Sequence, residues 1–154
     1  VMTQSRTAAR TGEQGVPLVY DQEDAVRRLH LPPARMEGFM SELIGIVRFK
    51  FHPGKVEEYK RLTAHAMEVV RAKDTGTLQY DVFFNAEETE SVVIERFRDS
   101  ETLIQHGANL GDEFMAAVLA TGSVDGELLG EPSPVLYAML GEGPPQLFTT
   151  YQSM

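Results

Sequence analysis

The sequence contains no cysteine, which excludes disulfides, a thiolate nucleophile and any cysteine-ligated metal. That usage fits a reducing cytosol. Long apolar runs are missing as well. None approaches the roughly 20 residues a membrane helix needs, and the start of the chain shows no signal-peptide core. Basic residues are scarce: 14 Lys and Arg face 23 Asp and Glu, a net charge of −9. That balance argues against nucleic acid, whose binding rests on neutralising phosphates. The imbalance is local. Residues 86–131 hold eleven acids against Arg96 and Arg98, whereas residues 1–39 balance five Arg against five acids. An acidic face of this kind is a solvated surface.

Chemical motifs are equally sparse. His30, His52, His65 and His106 show neither H-x-x-H nor H-E-x-x-H spacing, so no metal site is expected. No glycine-rich phosphate loop follows a strand, the GEGPP stretch reads as a turn, and no serine nucleophile elbow occurs. The composition and these absences lead to the expectation of a soluble, cytoplasmic protein with no nucleic-acid or membrane partner.

What is present is an ordinary globular composition, 42% hydrophobic over 154 residues, enough for one core. The chain divides into an extension over residues 1–39 and a domain over 40–154. Residues 1–15 are polar and without period. Asp21 reads as the N-cap of a short helix with a thin stripe of Ala25, Val26 and Leu29, stopped by Pro32-Pro33. A helix that short needs a surface to lie on, so the extension is either a docking arm or partly flexible.

The stretch from Ser41 to Asp99 organises the domain. Leu43–Phe51 is rich in β-branched and aromatic residues, hence a strand, and it is apolar on both faces. His52-Pro53-Gly54 turns the chain. Lys55–Lys73 carries a helical period through Val56, Tyr59, Leu62 or Thr63, Ala66 and Val70, and Asp74-Thr75-Gly76 stops it. Leu78–Phe84 and Ser91–Arg98 form a hairpin. Asp99-Ser100 caps a second helix whose apolar face runs Leu103, His106, Leu110, Phe114, Val118 to a stop at Thr121-Gly122-Ser123. Val124–Leu129 gives a fourth strand, Pro132–Leu140 a short helix, and Gln146–Tyr151 a last extended piece.

The order β-α-β-β-α-β with an α-β tail defines an α+β, ferredoxin-like split βαβ fold with an antiparallel sheet. Both helices then cover one face. The other face is expected to keep Val47, Phe49, Val93 and Phe97, an apolar area best buried by a second copy of the chain. A homodimer follows.

FKFHPGKVEEYKRL, then LQYDVFF, then VVIERFRDSETLIQH closely resembles the antibiotic biosynthesis monooxygenase-like family over about residues 41–120. The shared features are Pro53-Gly54-Lys55 after the first strand, Glu95 before an aromatic at the end of the third, and His106 beyond it. The resemblance implies a dimeric α+β barrel. It also implies an enzyme that oxygenates a quinol-like or polycyclic aromatic substrate with O₂ and no cofactor, the deprotonated substrate itself passing an electron to oxygen. Some relatives of this fold are instead non-catalytic ligand-binding or regulatory modules. Phe97 stands where many members carry Trp. Val47, Phe97 and Val118 or a neighbour occupy the positions where the haem-degrading branch carries Asn, Trp and His, which disfavours haem.

Two residues are candidate bases. His106 lies on an apolar helix stripe and has a suitable chemistry, or else it is a structural histidine closing the sheet–helix interface. Glu95 lies in a hydrophobic strand where burial would raise its pKa, or else it pairs with Arg48 or Arg96. Tyr80 offers a hydroxyl to a substrate oxygen or fills the core. Arg48 would steady a phenolate or keep its head in water. Val47, Phe49, Phe83 and Phe97 are expected to form the apolar wall of the substrate pocket, which lies between sheet and helices.

Overall fold

A computed structural model describes residues 41–154. The extension expected over residues 1–39, with its short helix, lies outside the described residues. Five strands and four helices follow one another: β1 (Leu43–Phe51), α1 (Val56–Lys73), β2 (Thr77–Phe84), β3 (Glu90–Phe97), α2 (Ser100–Leu110), α3 (Asp112–Leu119), β4 (Gly122–Leu129), α4 (Pro134–Leu140) and β5 (Gln146–Phe148). The sheet runs β2-β3-β1-β4-β5. Its first four strands pair antiparallel, and β5 joins β4 in parallel. This is the ferredoxin-like α+β arrangement with one strand added at the edge.

Local chemistry sets the element ends. Glu57 and Glu58 sit in the first turn of α1 and Arg71 and Lys73 in its last, each sign at the end of the helix dipole that favours it. Asp99 caps α2 by accepting from the Thr102 backbone N–H at 2.8 Å. Ser133 caps α4 in the same way, Pro134 enters its first turn, and the Ser133 N–H is itself bound by Ser100 Oγ at 2.8 Å. That last bond ties the tail helix to the start of α2.

The second helix of the sequence reading is two helices. Gly111 interrupts it at φ 81° and ψ 160°, a conformation open to glycine and closed to most side chains. The continuous stripe from Leu103 to Val118 therefore lies on two separate elements, α2 and α3.

Register corrects the reading of the sheet faces. Val47 stands opposite Val93, which in turn faces Val82, and Leu43 pairs with Phe97. These inward residues lie under the helices: Val93 and Phe97 are 3% and 0% exposed, and Phe49 is buried beside them. The bare face instead carries Ile44, Ile46, Val92 and Ile94, with Phe83 at 53% exposure. Alternation tells which residues share a face, but both sets here are apolar, and nothing in the period says which set the helices cover.

The core falls into two clusters. Leu43, Phe97, Leu128 and Leu136 form one, and Phe49, Tyr59, Val93 and Val118 the other. On β3, Glu95 stands between Val93 and Phe97, at the seam between the two.

Candidate active site

Glu95 is the charged residue on the inward side of β3, two positions along from Val93. Its neighbours across the sheet are Gly45 on β1 and Tyr80 on β2. A Cβ at position 45 would stand 3.0 Å from Glu95 Oε2, so the glycine leaves the carboxyl its room. Neither arginine reaches it: Arg48 pairs with Glu127 at 3.5 Å and Arg96 with Glu42 at 2.6 Å. No group among the described residues hydrogen-bonds the Glu95 carboxyl. Burial raises its pKa above the ordinary carboxylate value; His106 opposes that shift and the Asp74 charge reinforces it.

His106 Nε2 lies 3.8 Å from Glu95 Oε1, within ion-pair distance. His106 lies on the buried face of α2, its ring centroid 5.6 Å from that of Tyr80 and 5.2 Å from that of Phe97. Its other nitrogen, Nδ1, is 2.7 Å from Asp74 Oδ2. Asp74 is the residue after α1. It also accepts from Asn109 Nδ2 and Thr77 Oγ1, each at 2.7 Å. Burial alone would raise the Asp74 pKa, but the hydrogen bonds from Asn109, His106 and Thr77 outweigh it and hold the group below its usual value. An ionised Asp74 can only accept. Nδ1 must therefore be the donor, which leaves the neutral ring with its lone pair on Nε2, facing Glu95.

Beside this pair opens a cavity of about 300 Å³. Gly45, Val47, Phe49, Tyr80, Val93, Glu95 and Phe97 line it from the sheet, Tyr59 and Thr63 from α1, Leu103, His106 and Leu110 from α2, and Phe114, Met115 and Val118 from α3. The Tyr80 hydroxyl makes no hydrogen bond among the described residues; burial first, and then the Glu95 charge, raise its pKa. Tyr59 is different. Its hydroxyl lies 3.3 Å from Ser91 Oγ, and burial pushes it up to about 12.

Of the residues singled out from the sequence, His106, Glu95, Tyr80, Val47, Phe49 and Phe97 meet at this cavity. Phe83 and Arg48 do not. Both alternate onto the bare face of the sheet, one residue out of phase with the inward set. The expected pairing of Glu95 with Arg48 or Arg96 is likewise absent. Sequence reasoning missed Asp74, Asn109, Thr77 and Gly45. A signal for Asp74 was there: an acid at a helix C-terminus opposes the dipole and wants another reason. Asn109, three residues after His106, shares its helix face. Among the described residues no group of three or more His, Cys, Asp or Glu is placed to hold a metal ion, and no helix is long and apolar enough to cross a membrane.

This geometry sits on a fold with known relatives. The sequence profile of the antibiotic biosynthesis monooxygenase family matches residues 43–118, from the start of β1 to the end of α3. That stretch, which holds Asp74, Glu95 and His106, belongs to the family. Among curated proteins none matches the sequence. Among solved structures, MupZ from Pseudomonas fluorescens superposes with a TM-score of 0.64 at 24% identity, over 73% of this chain and 88% of its own. Rv0793 from Mycobacterium tuberculosis gives 0.50 at 24% identity, over 57% and 92%. A variant of SnoaB from Streptomyces nogalater, a cofactor-independent oxygenase, gives 0.50 at 15% identity, over 74% and 97%. At these identities the likeness speaks for the fold.

Proposed function

We propose that this protein is a cofactor-independent monooxygenase of quinol-like or polycyclic phenolic substrates. The observation that carries the reading is the Asp74–His106 hydrogen bond, which presents a lone pair at Nε2 to an apolar cavity, 3.8 Å from the Glu95 carboxyl. A pocket serving only to bind an apolar ligand has no use for an oriented base. SnoaB, a fold relative, is a cofactor-independent oxygenase, and family membership supports the same class of chemistry here.

His106 Nε2 takes the phenolic or enolic proton, and Asp74 stabilises the imidazolium that results. Tyr80 and Glu95 hydrogen-bond the substrate oxygens and orient the ring. The substrate anion passes one electron to O₂, and the radical pair recombines to form a carbon–oxygen bond. The peroxide then takes up the proton held by His106 and loses water. Two substrate hydrogens and one O₂ become a carbonyl oxygen and one water. The apolar walls keep bulk water from the intermediates.

The bare sheet face, with Ile44, Ile46, Val92, Ile94 and Phe83, packs in this reading against a second copy in a homodimer. A cytoplasmic location belongs to the same proposal. Oxygen uptake on a panel of quinols and anthrone-type compounds tests the activity. The expected result is uptake that His106→Ala lowers at least 100-fold, within the range proton-transfer catalysis supplies. Uptake by no compound, or by the variant as fast as by the parent, would sink the idea.

A further inference from the structure

The exposed rim of the cavity lies at the joint between α2 and α3. Among the described residues that line the cavity, Gly107 on α2 and Met115 on α3 are exposed, and every other is buried or half-buried. That includes Leu128, Leu140 and Pro145, which line it from β4 and the tail. The two exposed residues sit one turn to either side of Gly111. The Gly111 N–H donates to the Gly107 carbonyl at 3.0 Å, and the Met115 N–H donates to the Gly111 carbonyl at 3.1 Å.

Neither backbone nor packing requires glycine at position 107. It lies inside α2 and is not among the positive-φ glycines, and within a helix glycine is less stable than alanine. An added Cβ would meet no atom within 4 Å. Leu103, His106, Gly107 and Leu110 fall at i, i+3, i+4 and i+7, which share one side of a helix, and all four line the cavity. Gly107 is the one of them without a side chain. The gap it leaves adjoins His106, itself 6% exposed, whose Nδ1 is held by Asp74 and whose Nε2 is the nitrogen left to the cavity.

We infer that small molecules reach His106 through an opening at the α2–α3 joint, and that Gly107, by lacking a side chain, sets the width of that opening beside Met115. Met115 supplies the adaptable side, since an unbranched thioether repacks readily. Gly107 is thus a specificity-determining residue: it limits the size of what arrives at Nε2 before the cavity walls act on it. The inference goes beyond the monooxygenase reading, because it concerns access to the histidine whatever reaction follows.

Diethyl pyrocarbonate, which acylates a neutral imidazole nitrogen, tests it on the full chain. Peptide mass spectrometry reads the labelling rate of His106 against those of the exposed His52 and His65. His106 of the parent is expected to be labelled. Gly107→Ala should slow that labelling a few-fold and Gly107→Leu at least ten-fold, with His52 and His65 unchanged. Adding Met115→Ala to Gly107→Leu should restore most of the rate. A parent His106 that stays unlabelled, or labelling that neither Gly107 variant slows, overturns the inference. A double variant that stays slow removes Met115 from the opening. Lost structure cannot imitate the expected result, because a loosened fold exposes His106 and speeds its labelling. Gly107→Ala, which favours the helix, carries the test should the leucine variant loosen the fold. Labelling needs neither substrate nor oxygen. Absent oxygen uptake therefore leaves this inference standing, and labelling that is not slowed leaves the monooxygenase reading standing.

Discussion

In the proposed reading, Asp74, Glu95 and His106 set the chemistry at the residue scale, and each can be questioned alone. Asp74 accepts three hydrogen bonds in a buried position. Asp74→Ala strands those donors and should destabilise the fold by about 3 kcal/mol, measured by urea unfolding. Asp74→Asn keeps the shape and loses the charge, so kcat should fall while KM stays close to the parent's. That split would mark a positioning role, whereas a purely structural residue would show as lost stability alone.

Glu95 makes a prediction about pH. Its native pKa is raised from 4.5, so between 4.5 and the native value the unfolded chain has released a proton that the folded chain still holds. Stability must therefore fall as pH rises through that window. Asp74 acts oppositely, because its lowered value makes stability fall as pH drops below 3.8. Unfolding free energies of Glu95→Gln should lose the decline above 4.5 and keep the one at low pH. A parent protein whose stability climbs steadily above pH 4.5 would contradict the assignment of a raised carboxyl.

At the scale of elements, glycines shape the site where a strand or helix would otherwise close it. Gly45→Ala puts a methyl 3.0 Å from Glu95 Oε2 and must move the carboxyl. Activity is expected to fall with little change in melting temperature. Gly107, inside α2, and Gly111, at the helix break, make a matched pair. Neither has an atom within 4 Å of an added Cβ, so sterics are equal and only the backbone differs. Gly107→Ala should stabilise by up to about 1 kcal/mol through helix propensity. Gly111→Ala, at φ 81°, should destabilise by about 1–3 kcal/mol. Thermal unfolding of the two variants reads the opposite signs directly.

These elements also show what the sequence could and could not reveal. Helix and strand periods, the Asp99 cap and the Pro134 entry were legible because each is a local signal. The break at Gly111 was not, because the apolar spacing runs unbroken across it. Glu95 and His106 were found as an acid and a histidine on apolar elements. Asp74 was hidden by its place in a helix stop, where Asp, Thr and Gly already have a sufficient local explanation. The contact that gives it a role spans 32 residues of sequence, and no local pattern encodes it.

For the whole molecule, the face left bare by the helices is where the proposed dimer would form. The sequence led to a dimer through Val47, Phe49, Val93 and Phe97, which in fact lie beneath the helices. The proposed dimer rests instead on other residues, Ile46 and Ile94 among them, which stand opposite one another on the outer face. Ile46→Lys places a charge at that point. If the proposed dimer forms there, light scattering should show the parent at twice the mass of the variant. A variant of unchanged mass would move the interface elsewhere.

The helix break has a consequence for how such a protein can diversify. The proton-handling groups stand on β3, α2 and the end of α1, while Phe114, Met115 and Val118 stand on α3 across the cavity. A single glycine joins α2 to α3. Mutations on the far wall can therefore enlarge or reshape the space for a ring system while the base and its carboxylate keep their positions. In the proposed reading, that part of the cavity wall and the proposed base stand on separate pieces of chain, and one can drift while the other is held.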